Sequence, residues 1–145
     1  MKKILFISTR DPYSGRYSGD VIGSNKIINV LKKKNLDKSK NCNIYIFKTL
    51  GRSRYLSLMK YSDFMIGNSS SGILEAPVMN KISINIGDRQ KGRLFATSVI
   101  SCSNKSFYIE KSLNKVYSEK FQKVLQKTSN PYGEGGASKK ITNII

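Results

Sequence analysis

Three adjacent serines, Ser69, Ser70 and Ser71, are the residues of this chain best placed to act together. Gly67-Asn68 precede them and Gly72 closes the run. A Gly/Ser turn that opens a helix presents backbone N–H groups with no intrahelical partner, at the end of the helix where the dipole is positive. Small side chains let an anion approach those groups, and serine hydroxyls add donors. The chemistry implied is phosphate binding rather than bond breaking. Glu75 lies four residues beyond Ser71 and so shares its helix face. A carboxylate there repels phosphate but accepts hydrogen bonds from a ribose diol next to a diphosphate. Arg89, Lys91 and Arg93 follow in a later loop and can neutralise a diphosphate. A plainer reading stays open at this point: a serine-capped helix beside a solvated basic loop.

The elements that must position these residues are legible in residues 63–93. Phe64-Met65-Ile66 is a short apolar run that ends at Gly67-Asn68. Ile73-Leu74-Glu75-Ala76 are good helix formers, and Ile82-Ser83-Ile84-Asn85-Ile86 is a second β-type run, ending at Gly87-Asp88-Arg89. The order is strand, Gly/Ser turn, helix, strand, basic loop. That is one βαβ unit with polar loops at the carboxyl ends of both strands, the edge at which open α/β sheets bind ligands.

Several motifs in this order resemble a known family. GNSSSGILEAP followed by INIGDRQKGR is similar to the signature of the UDP-N-acetylglucosamine 2-epimerases. The likeness is to the hydrolysing kind, which makes N-acetylmannosamine or its diacetamido analogue for sialic-acid-like sugars. Gly51-Arg52, the run Tyr55-Leu56-Ser57-Leu58-Met59-Lys60 and the late Asn130-Pro131-Tyr132-Gly133 carry the same resemblance, which covers residues 41–145. It implies a Rossmann-like parallel sheet flanked by helices, part of the carboxyl-terminal domain of a GT-B-type epimerase. It also implies that Ser69 and Ser70 hold the phosphates of UDP or a UDP-N-acetylhexosamine, that Glu75 takes the ribose, and that Arg89 lies near the diphosphate. Ser71, Gly72 and Arg93 complete that expected UDP site. No cofactor is implied.

Composition bounds the remaining possibilities. One hundred and forty-five residues with 39% hydrophobic content suit one globular domain with a core. No apolar run approaches membrane-spanning length, and the short run after Met1-Lys2-Lys3 is interrupted by Arg10-Asp11, so the expected location is the cytoplasm. Cys42 and Cys102 are far apart and there is no histidine, so no metal site is expected and both cysteines read as structural thiols. The net charge of +17 attracts polyanions. The lysines are dispersed, however, and no nucleic-acid-binding motif accompanies them, so the charge reads mainly as compositional bias.

Taken in order, the chain opens with a buried-type strand over residues 3–8. A polar Gly-containing turn follows, then a helix over 25–34 with Ile27, Ile28 and Leu31 on one stripe. Residues 1–34 resemble the first βα unit of a GT-B glycosyltransferase. Arg10 stands just after the strand, where epimerases place an arginine near UDP. Residues 35–43 form a polar linker, and 44–145 form the epimerase-like segment. Within that segment the patterns predict a strand at 44–47 and a helix at 53–60, whose Tyr55, Leu56 and Met59 are core. After the βαβ unit come a strand at 98–102, a helix over 105–126 broken near Ser118, a loop at 130–136 and a last helix at 137–144. Phe107, Ile109, Leu113, Val116, Phe121 and Leu125 are the expected apolar faces.

Catalysis in the family, as the resemblance implies, removes the C2 proton, expels UDP to give a glycal and adds water. That requires carboxylates and a histidine acting as acid and base. This chain has nine acidic residues and no histidine, and none of the acids before residue 41 has an epimerase-like context. The expected protein is therefore a truncated or fused family member that keeps the UDP half-site and has no catalytic residues of its own. A GT-B glycosyltransferase fragment is one alternative. A non-catalytic nucleotide-sugar-binding subunit is another, either homo-oligomeric or completed by a separate chain. A nucleic-acid binder is a third, supported by charge alone.

Overall fold

The computed structural model describes residues 4–7, 50–133 and 135–144, the first four as backbone. Among them, four parallel strands form one sheet in the order β1-β2-β3-β4: β1 Ile4–Ile7, β2 Phe64–Gly67, β3 Ile82–Ile86 and β4 Val99–Cys102. The opening strand joins the later ones as expected, with Ile4 beside Phe64 and Ile7 beside Gly67. The register continues from Gly67 to Asn85 and from Asn85 to Ser101, so the carboxyl ends of β2, β3 and β4 come level. The strand expected at 44–47, the helix at 25–34, Cys42 and Arg10 lie outside the described residues.

The helices are α1 Arg52–Tyr61, α2 Ser71–Leu74, α3 Ser106–Val116, α4 Glu119–Gln126 and α5 Ala137–Thr142. They cover both faces of the sheet, as parallel strands require. On one face, Phe64, Ile66, Ile82, Ile84, Ile86 and Ile100 pack against Ile109, Leu113 and Val116 of α3 and Phe121 of α4. On the other, Met65 packs with Met59 of α1 and Ala76, with Tyr55, Leu56 and Met79 at the margin. The alternation along β3 explains its composition. Its three isoleucines feed the large core, and Ser83 and Asn85 point to the α1–α2 side, where the backbone of α2 comes close.

The predicted break near Ser118 separates α3 from α4. Ser118 accepts from the Phe121 N–H at 3.3 Å and donates to the Lys115 carbonyl at 2.7 Å, so one hydroxyl ends a helix and starts the next. The bend sets the Tyr117 ring edge-on to Phe64, with centroids 5.7 Å apart. One expected apolar residue differs. Phe107 is 68% exposed and contacts the Tyr108 ring instead of the core. It stands two residues before Ile109, about 200° round the helix from the 109-113-116 stripe.

Candidate functional site

The site is built at the carboxyl edge of β2 and β3. After Gly67 the chain turns through Asn68, Ser69 and Ser70 into α2. The Ser69 hydroxyl accepts from the Ser71 N–H at 3.3 Å, and the Ser69 carbonyl accepts from Gly72 N–H at 3.1 Å. The helix is shorter than the sequence implied. It is regular over Ser71–Leu74 and then tightens through turns. The Lys81 N–H closes it on the Ala76 carbonyl at 2.8 Å, with Asn80 left-handed at φ 55°. Glu75 still stands one helical turn past Ser71, its N–H on the Ser71 carbonyl at 3.0 Å. Ser69, Ser70, Ser71 and Glu75 are half-buried, and Gly72 is buried.

Gly72 has a steric reason to be glycine. A Cβ built there would overlap the Ser83 hydroxyl of β3. Only hydrogen at this position lets the turn sit flat on the sheet, and the serine on the facing strand is the matching small residue. Met65, Ile66, Gly67, Ser69, Gly72 and Ser83 line a shallow depression at this point, with an enclosed space of about 10 Å³. Sites for whole small-molecule ligands run to about 300–1,000 Å³. The depression therefore holds no more than about one water, and a ligand needs further walls.

The basic loop after β3 is fastened to the serine turn through one backbone carbonyl. The Gln90 side-chain amide donates to the Asn68 oxygen at 2.7 Å, and the Arg89 guanidinium donates to the same oxygen at 3.1 Å. Gln90 is 2% exposed, whereas Arg89 is on the surface. The buried amide is the anchor, and the arginine is the group presented outward beside the turn. Arg93 is exposed further along the loop, its N–H on the Gln90 carbonyl at 3.2 Å. The structure thus brings Arg89 to Ser69 and leaves Arg93 at the rim.

Behind the turn lies a group that sequence reading assigned to the core. Tyr55 of α1 packs its ring beside Met59, Met65 and Ala76, and its phenol lies next to Ser71 and within range of the Glu75 charge. Burial pushes the phenol up to about 12, with the Glu75 carboxylate adding to the rise and the Ser71 hydroxyl opposing it. The Tyr55 hydroxyl nonetheless makes no hydrogen bond of good geometry, and the buried Oε2 of Glu75 also lacks one. Gln90, Asn68 and Ser83 were likewise missed as site residues. Tyr55 carried one usable signal: a tyrosine at core spacing brings a polar tip that must end somewhere.

Among the described residues no cluster of three or more metal-ligating side chains occurs, and no helix is long and apolar enough to cross a membrane. Cys102 is a free, half-buried thiol, pushed up by burial and drawn back by the Ser112 hydroxyl.

The family model for UDP-N-acetylglucosamine 2-epimerase matches residues 20–145. The chain belongs to that family. Polysialic acid biosynthesis protein P7 of Escherichia coli is 43% identical over 107 residues, covering 72% of this chain and 27% of that protein. GDP/UDP-N,N'-diacetylbacillosamine 2-epimerase (hydrolyzing) of Campylobacter jejuni is 42% identical over 98 residues, 68% of this chain and 24% of that one. UDP-N-acetylglucosamine 2-epimerase of Neisseria meningitidis is 36% identical over 84 residues, 58% and 21% respectively. The chain spans about a quarter of the length of the curated relatives it matches.

Proposed function

We propose that this chain forms the UDP half-site of a hydrolysing UDP-N-acetylglucosamine 2-epimerase, acting in nucleotide-sugar metabolism toward N-acetylmannosamine or sialic-acid-like sugars. The observation that carries the reading is the fastening of Arg89 and Gln90 to the Asn68 carbonyl, which sets a cation beside the Ser69–Gly72 turn. In this reading Ser69, Ser70 and Ser71 offer hydroxyl and backbone donors to the diphosphate. Gly72 lets it come close, and Arg89 neutralises it with Arg93 at the rim. Glu75 takes the ribose diol. A guanidinium has five N–H donors. Arg89 spends one on Asn68, so others remain for an anion. The location is the cytoplasm, where UDP-sugars serve as substrates.

The chain's own residues bind and orient UDP, and other residues remove the C2 proton. No histidine is available, and Glu75 is committed to the ribose. The small volume of the depression favours completion of the cleft by further protein, either a second copy or a separate chain. Arg10, which follows β1 in the sequence, is assigned to the same UDP site. Titration with UDP and with AMP tests the reading. Saturable binding of UDP, weakened by Arg89→Ala, is the expected result. Equal response to both nucleotides, or none to either, removes it.

A further inference from the structure

The crossover from β3 to β4, residues 87–98, carries Arg89, Lys91 and Arg93 and contains no helix. Gln90 and Ala96 are buried, and the stretch between them, 91–95, is exposed throughout. The carboxyl-terminal segment reaches that exposed stretch. The Tyr132 hydroxyl donates to the Leu94 carbonyl at 3.0 Å, and the Thr97 and Thr128 hydroxyls share a hydrogen bond of 3.2 Å further along. The turn at Asn130-Pro131-Tyr132-Gly133 is built to present that phenol. Asn130 Oδ1 accepts from the Tyr132 N–H at 3.1 Å, and Asn130 Nδ2 donates to the Gly133 carbonyl at 2.9 Å. The Asn130 carbonyl accepts from the Gly133 N–H at 3.0 Å, with Gly133 left-handed at φ 83°. The Tyr132 ring is 45% exposed, so core packing does not account for a tyrosine here. The bond it makes across to Leu94 does.

We infer that Tyr132 is a positioning residue for Arg93: its hydroxyl holds the exposed part of the crossover so that this second cation stays at the rim of the serine turn. The Arg93 N–H is held on the Gln90 carbonyl at 3.2 Å, and the carbonyl of the next residue is held on Tyr132. Arg93 is thus fixed from both sides. One tie leads back to Asn68 through Gln90, and the other leads to the carboxyl-terminal segment. Without the second tie, the stretch after Gln90 has only its own turns to hold it, and the cation it carries is free to swing away from the rim. That Arg93 serves a nucleoside diphosphate rests on the proposed UDP reading; the double tie does not. A cation already held in place loses less freedom on binding than one that must first be ordered.

Tyr132→Phe removes the hydroxyl and keeps the ring. Hydrogen exchange on the full chain without ligand should show the Arg93 N–H exchanging about two- to tenfold faster, the worth of one hydrogen bond, while the N–H groups of Ile66 and Ile84 in the sheet are unchanged. The urea midpoint should fall only slightly, because the bond lies at the surface and water takes the place of the phenol. In titrations with UDP, Tyr132→Phe should weaken binding about two- to tenfold, the ordering cost of one side chain, and should weaken it no further in an Arg93→Ala background. Unchanged exchange at Arg93, or exchange that quickens equally through the sheet, overturns the inference. So does an unchanged affinity for UDP, and so do losses of affinity that simply add across the two substitutions, since the tyrosine then does not act through Arg93. A wild type that binds no UDP removes the UDP reading instead, and the ligand-free exchange result then decides the inference alone.

Discussion

Substituting Gly72 by alanine should be damaging for a reason that one further substitution removes. The added methyl would overlap the Ser83 hydroxyl, while Ser83 Cβ would be 3.6 Å away, an ordinary contact. The obstruction is therefore one atom. Ser83 is 3% exposed on a strand buried along its whole length, so its hydroxyl has little freedom to turn aside. Forcing atoms into such a site costs about 1–3 kcal/mol. With Ser83→Ala the obstruction disappears. Gly72 is in the first turn of α2 and is absent from the positive-φ glycines, so alanine is conformationally acceptable there. Gly→Ala at a compatible position gains about 0.4–1 kcal/mol, mainly by restricting the unfolded chain. The same change should thus be unfavourable in the wild-type background and neutral or favourable in the Ser83→Ala background. The coupling is on the order of 2 kcal/mol, large for neighbouring side chains. Equilibrium urea unfolding of the wild type, both single variants and the double variant measures it. Additivity to within about 0.5 kcal/mol would refute the close approach of α2 and β3 as the reason for glycine.

Arg89 and Gln90 share one acceptor but should separate experimentally. Arg89→Ala, at the surface, should change stability by no more than about 0.5 kcal/mol yet weaken UDP binding, whereas Gln90→Ala should cost about 1–3 kcal/mol in a thermal melt; the reverse order would contradict the anchor assigned to Gln90. The phenols of Tyr55 and Tyr117 are both pushed up to about 12, chiefly by burial, with Glu75 and Asp63 respectively adding to the rise. Because the unfolded phenol ionises near 10.0, the stability tied to these groups is complete below pH 10 and falls as pH climbs toward 12. Replacing both by phenylalanine should flatten that part of the stability–pH curve, and an unchanged slope would count against it. Incubated alone with UDP-N-acetylglucosamine, the chain should release no UDP. Steady release abolished by Glu75→Ala would show that a minimal site suffices.

The central βαβ unit was legible because each of its signals is local. The apolar run at 64–66 lies within β2, ISINI is β3 from end to end, and the break at Ser118 follows from one capping residue. The length of α2 was less legible, since Pro77 and the left-handed Asn80 tighten what good helix formers would otherwise extend. Glu75 and the three serines could be grouped by their spacing along one turn. Tyr55 and Gln90 could not, because what matters at each is a contact made across the sheet edge. Tyr55 reads as core from its neighbours Leu56 and Met59, and the ring is core; only the folded chain places its hydroxyl by Glu75. Gln90 looks like one polar residue in a basic loop, and its near-complete burial arises from the return of that loop over Asn68.

That return bears on how such a site could bind an anion without further ordering. A surface arginine that must first be immobilised loses side-chain entropy on binding, which offsets part of the electrostatic gain. Here the guanidinium is already held on Asn68, and the loop that carries it is fixed one residue later by a buried amide. Asn68 in turn immediately precedes the serines. Movement of the turn and movement of the cation are therefore linked through a single carbonyl. In the proposed reading, the diphosphate meets donors and positive charge already set at fixed separation. Affinity should then depend more on Gln90, which touches no ligand, than its position in a basic loop suggests. In the same reading the loop's other cations, Lys91 and Arg93, should substitute poorly for Arg89, because both lie further along the chain from the Asn68 carbonyl on which Arg89 is held.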